Sequence, residues 1–137
     1  MTLKQIIYTS QPFGYDRATL SGILMSARRW NKRNDITGSL ICRHDVYLQL
    51  LEGPSDAVDA TYARIARDDR HVNVIEVVSA PITERLFGDW DMRHDPADTW
   101  FYTAKEVADG ALDTATPDDF KAVFTKLAQQ PAMDQLD

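Results

Sequence analysis

The hydrophobic pattern changes period several times along the chain. Residues 3–9 (LKQIIYT) read as a short β-branched strand, which Gln11-Pro12-Phe13-Gly14 ends. Asp16 is placed to cap a helix running to about residue 31, because Leu20, Ile23, Leu24 and Ala27 recur at helical spacing. Residues 38–42 (GSLIC) and 46–52 (VYLQLLE) are two strands, and Arg43-His44-Asp45 between them is short enough for a hairpin. Gly53-Pro54-Ser55 breaks the second, and Pro54 or Ser55 opens another helix. Val58, Tyr62 and Ile65 form its expected buried line, and it stops near Asp68-Asp69. Residues 72–80 are a fourth strand and residues 90–93 a short fifth.

The order β-α-β-β-α-β, with one strand added, predicts an α+β fold of the ferredoxin-like kind, both helices lying on one face of the sheet. The third strand is apolar at Val46, Leu48 and Leu50 and equally at Tyr47 and Leu51, so both its faces must be covered. The tail supplies the second cover. Thr116 as cap, Pro117 at the first helical position and Asp118-Asp119 in the first turn start a helix with its stripe at Phe120, Val123, Phe124 and Leu127. A shorter helix around residues 104–108 precedes it. The expected division is a core over residues 1–97 and a helical extension over 98–137, packed on the sheet and frayed from about Gln129.

Composition narrows the setting. The 137 residues suit one domain, and 44% hydrophobic with 26% charged is an ordinary globular balance. No apolar run is long enough to span a membrane, and the N-terminus enters a strand without a leader. Cys42 is the lone cysteine, which suits a reducing cytoplasm, and a net charge of −6 argues against nucleic acid.

The informative residues break the pattern. Continuing the first helix's stripe lands on Asn31, and an unpaired buried amide costs about 1–3 kcal/mol. Gln49 shares a strand face with Tyr47 and Leu51, a poor place for an amide that is not used. Tyr8 shares a face with Ile6 and Ser10. In this topology the first and third strands are adjacent, so Tyr8 and Gln49 are expected as neighbours beneath the helices, with Asn31 overhead. Each has an ordinary reading too: Tyr8 as packing, Asn31 as a left-handed helix end. Together they are what a planar, hydrogen-bonding ligand needs.

At these residues the sequence resembles the BLUF family, blue-light sensors that use flavin adenine dinucleotide. The resemblance runs from about residue 3 to residue 93 and rests on ordered pieces: Ile7-Tyr8-Thr9-Ser10, Asn31 ahead of Ile36-Thr37-Gly38, and Leu48-Gln49-Leu50-Leu51-Glu52-Gly53. It continues through Tyr62-Ala63-Arg64-Ile65, Asp68-Asp69-Arg70-His71, Pro81-Ile82, Arg85, Phe87 and Trp90-Asp91-Met92. It implies non-covalent FAD, with Tyr8 as the photoactive electron and proton donor and Gln49 as the amide between it and the flavin. Asn31, Arg64 and Asp68 would hold the pyrimidine end, Ser10 would lie near the tyrosine, and Trp90 and Met92 would shift to carry the signal. A phenol near pKa 10 is a neutral donor that turns acidic on oxidation, and an amide offers a donor and an acceptor, so both suit these roles. Trp30 departs from the polar residue usual in the family at that place; it packs either on the ligand or as a surface or interface aromatic.

The basic cluster Arg28, Arg29, Lys32 and Arg33 either meets the ligand's phosphates or complements the helix dipole. There is no GxGxxG, no P-loop and no persuasive metal or nucleophile set among Cys42, His44, His71 and His94. Two rival classes stay open, a small enzyme such as an acyl phosphate hydrolase and a plain interaction domain. The first wants an anion-binding loop after the first strand, and Gln11-Pro12-Phe13-Gly14 offers none. The favoured reading is a cytoplasmic photoreceptor without turnover, expected to form a homo-oligomer and to signal to a separate protein. With no effector sequence after the core, the signal is expected to leave through the C-terminal helices or a sheet edge, by strand five repacking against residues 98–128.

Overall fold

The computed structural model describes residues 2–12, 17–42, 46–67, 71–88, 90–95, 104–111 and 115–129. The elements are β1 (Leu3–Pro12), α1 (Arg17–Asn34), β2 (Thr37–Cys42), β3 (Tyr47–Pro54), α2 (Ser55–Ala66), β4 (His71–Ile82), β5 (Arg93–Asp95), α3 (Ala104–Ala108) and α4 (Pro117–Ala128). The strands form one sheet in the order β4-β1-β3-β2-β5. The first four pair antiparallel, as the ferredoxin-like order requires, and β5 adds itself parallel to β2. Asp16, Arg43, His44, Asp45 and the Leu20 side chain, used in the sequence reading, lie outside what is described.

From Tyr47 to Gly53 every residue of β3 is buried, so the alternation sorts them between two cores. Tyr47 and Leu51 join Ile6, Tyr8 and Leu40 beneath Ile23 and Leu24 of α1 and Val58 of α2. Leu48 and Leu50 join Ile7, Ile41 and Val78 against Phe120, Val123, Phe124 and Leu127 of α4. The tail helix thus covers the second face, as its stripe predicts. Its start is a full capping box: Thr116 Oγ1 accepts from Asp119 N, and Asp119 Oδ2 accepts from Thr116 N.

Two boundaries and one helix face differ from expectation. Helix α1 runs on to Asn34 and ends at Asp35, whose φ of 59° is left-handed. Asn31 is therefore an interior helical residue and not the helix end. Helix α2 buries Val58 and also Thr61, whose hydroxyl accepts the Trp30 indole N–H, while Tyr62 and Ile65 pack against the same core partly covered. The fifth strand starts at Arg93, so Trp90 and Met92 precede it instead of lying within it.

Replacing Phe124 by Ala should lower the unfolding free energy by about 3–5 kcal/mol, and Thr116→Ala by about 1 kcal/mol. Urea denaturation followed by circular dichroism reads both; a negligible effect of Phe124→Ala would mean that α4 is not the cover of the second face.

Candidate functional site

The register of β1 on β3 sets Tyr8 opposite Gln49 and Ser10 opposite Tyr47. Beside Tyr8 the pairing of β1 with β4 slips between Ile7 and Tyr8 and again between Thr9 and Gln11. Such bulges re-aim neighbouring side chains and are common beside functional sites. Tyr8, Ser10, Asn31 and Gln49 are all buried, drawn from two central strands and one helix. The Tyr8 ring meets Tyr62 of α2 edge-on, with centroids 5.7 Å apart. Burial, and secondarily the charge of Glu76, pushes the Tyr62 phenol above its ordinary pKa, so this neighbour stays neutral.

Gln49 Nε2 donates to Met92 Sδ at 3.3 Å. A thioether is a weak acceptor, so a carbonyl or ring nitrogen brought to the same amide would be a better partner. Met92 is held there through its backbone and that of its neighbours. Three successive carbonyls are engaged: Trp90 O by Gly38 N at 3.2 Å, Asp91 O by Asn31 Nδ2 at 2.7 Å, and Met92 O by Arg28 Nε at 2.9 Å. Gly38 has no room for a side chain, since a Cβ would collide with the Leu50 carbonyl of β3. The segment crosses the sheet's edge: Met92 belongs to the core under α1 and α2, while Trp90 packs against the core under α4.

The basic cluster divides. Arg28 turns inward to Met92, whereas Arg29 and Arg33 line a groove of about 280 Å³ together with Trp30 and Arg64. The Arg64 guanidinium lies 4.3 Å from the centroid of the Trp30 ring, a cation–π stack. Trp30 is thus an aromatic of the α1–α2 junction. Asp68 lies outside the described residues, so its pairing with Arg64 does too. Tyr8, Ser10, Asn31, Gln49 and Met92 come together; Arg64 borders the same helices from the groove, and Trp90 is on the opposite face.

The sequence reading gave no role to Glu52, which is fully buried and accepts from Leu86 N and Phe87 N at 2.7 Å each. The signal was present, for a carboxylate on a strand buried on both faces breaks the pattern as Gln49 does. Among the described residues no group of three or more His, Cys, Asp or Glu is placed to hold a metal. The donor set suits a flavin instead. Buried amides from Asn31 and Gln49 offer both donors and acceptors to a flat heterocycle, and the arginine-lined groove suits an anionic tail.

Comparison with known proteins agrees with this chemistry. A family model described as BLUF, sensors of blue light using FAD, matches residues 3–93. The photoactivated adenylate cyclase subunit beta of Euglena gracilis is 40% identical over 93 residues, which are 66% of this chain and 11% of that protein. The blue light- and temperature-regulated antirepressor BluF of Escherichia coli is 39% identical over 62 residues, 45% of this chain and 15% of that one. The chain matches only about a tenth of the length of the cyclase relatives. Among solved structures, the dark state of BlrB, a BLUF protein, superposes with a TM-score of 0.78 at 30% identity, covering 93% of this chain and 96% of its own. The photo-activated state of BlsA superposes at 0.79 with 22% identity over 97% of this chain and 99% of its own, a likeness of fold. With its matched residues spanning β1 to the start of β5 and enclosing the whole buried polar site, this chain belongs to the BLUF family of blue-light sensors that bind a flavin.

Proposed function

We propose that light sensing here is carried by Tyr8 and Gln49 around FAD, and that Met92, Trp90 and α4 pass the change to a separate protein. The observation that carries this reading is the buried cross-strand pair Tyr8 and Gln49, with Met92 resting on the Gln49 amide. A bound flavin would supply the blue-light absorption and the oxidising power. Tyr8 would give up the electron, and its Oη proton, acidic once the phenol is oxidised, would follow it through the Gln49 amide to the reduced heterocycle. Gln49 has unlike ends, so turning the amide swaps donor for acceptor and alters what Met92 faces. Asn31, with Arg64 and Asp68, would hold the heterocycle's pyrimidine end, and Ser10 supports the tyrosine's surroundings. Burial of these groups excludes water, which keeps the proton from being lost to solvent.

FAD is proposed over riboflavin because Arg29 and Arg33 line an open groove on α1, beside Trp30. Guanidinium groups match phosphates in geometry and charge. We assign the segment no turnover of its own: the cyclase relatives match it over only 11% of their length, so their activity is not carried over. Among the described residues no helix is long and apolar enough to cross a membrane. Together with a lone cysteine, that supports a cytoplasmic photoreceptor, and the proposed partner is a signalling protein met by a homo-oligomer. Residues 1–97 would be the sensing core and 98–137 its helical extension.

An absorbance spectrum before and after blue light tests the photochemistry. The wild type should show a small reversible red shift of the flavin band and Tyr8→Phe none. A bleached band, or the same shift in both, would sink the assignment of Tyr8. Binding titrations test the tail. Wild type should prefer FAD over riboflavin by about fivefold, a modest factor because the arginines are solvent-exposed, and Arg29→Ala/Arg33→Ala should abolish the preference. Equal preference in both proteins would remove the phosphate role.

A further inference from the structure

Glu52 and Gln49 lie three residues apart on β3 and so face opposite sides of the sheet. Gln49 looks into the core under α1 and α2. Glu52 lies on the side of Leu48, Leu50 and α4, where it is completely buried. A carboxylate in such a place must be matched by donors, and here it is. Oε1 accepts from Leu86 N at 2.7 Å, and Oε2 accepts from Phe87 N at 2.7 Å and from the Thr37 hydroxyl at 2.8 Å. Arg85 closes the ring from outside. Its Nη1 donates to Thr37 Oγ1 at 3.1 Å, and its Nη2 donates to Asp35 O at 3.0 Å and pairs with Asp35 Oδ2 at 3.1 Å. The start of the β4–β5 connection is therefore locked to the corner between α1 and β2.

That connection has two working ends. At one, the Phe87 ring meets Phe124 of α4 edge-on at 6.2 Å, with the Arg93 guanidinium 5.7 Å from its centroid. At the other, Met92 rests on Gln49. Between them Trp90 N donates back to Phe87 O at 2.9 Å, a backbone bond that links the two ends. A glutamine in place of Glu52 has one acceptor oxygen for three donors, and its NH2 would face a backbone N–H. The requirement is for a carboxylate and not merely for a polar side chain.

We propose that Glu52 is a positioning residue for the light response, the fixed point about which a displacement of Met92 is delivered to Phe87 and α4. This rests on the photoreceptor reading above and assigns the device that carries its signal from the flavin face of the sheet to the tail face. Thr37 and Arg85 brace the carboxylate, and Phe87 is the contact through which α4 feels the change.

The test uses the full chain loaded with FAD, in wild type, Glu52→Gln and Thr37→Val. Two readouts are taken in darkness and under blue light: the flavin red shift, and amide hydrogen exchange over residues 117–128 of α4. Glu52→Gln should keep the red shift while its light-induced change in α4 exchange falls about fivefold or more. Thr37→Val, which removes one of three donors and spares both backbone bonds, should keep the shift and lose a smaller part of the exchange response. An undiminished α4 response in either folded variant overturns the proposal. So does a parallel loss of red shift and α4 response, which marks a general structural role. If Glu52→Gln does not fold, Thr37→Val decides alone. A wild type without a red shift instead overturns the photoreceptor reading itself, and this proposal with it.

Discussion

A central strand covered on both faces leaves no water for any polar side chain on it, and β3 carries two such side chains. Gln49 and Glu52 must find partners inside the protein, and each finds them on the connection that leads into β5. Burial therefore turns a strand into an organiser of the loop beside it. The apolar neighbours Leu48, Leu50 and Leu51 supply the dryness that makes these polar contacts count. The rest of the site follows: the register of β1 brings Tyr8 to Gln49, and α1 roofs both.

The last turns of α1 do several jobs with neighbouring residues. Arg28 and Asn31 reach down to the carbonyls of Met92 and Asp91, Trp30 reaches across to Thr61, and Arg29 and Arg33 face the groove. A helix distributes consecutive side chains around its circumference, so one short stretch can address three surroundings at once. Asp35 ends the helix in a left-handed conformation, and its carbonyl and carboxylate both serve Arg85. The helix end and the β4–β5 connection are thus one structure.

Much of this was legible in the residues. Apolar residues at both odd and even positions of β3 announced two covered faces, and Thr116 with Pro117 announced α4. Tyr8, Asn31 and Gln49 stood out because polar groups on apolar faces demand an explanation. The misses share a cause, which is that non-local partners leave no mark on local pattern. Helix α1 ran past its apolar stripe because Asp35, and not a glycine, ends it. The strand after Met92 was displaced because its pairing is with β2, far away in sequence. The line Val58, Tyr62 and Ile65 does face the core, but the burial of Thr61 beside it was missed because its partner is an indole on α1. Glu52 did break the apolar pattern, but its role was hidden because its backbone donors lie more than thirty residues away.

The carbonyls of residues 90–92 are held by three separate donors, from two side chains and one backbone amide, instead of a strand ladder. Each bond is weak, but all three must open together for the segment to wander, so spontaneous excursions are rare. For a detector this is a matter of noise. A segment tied at one point would stray with heat and report darkness as light. One tied through a long ladder would resist the photon as firmly as it resists the bath. Three short ties fall between those extremes.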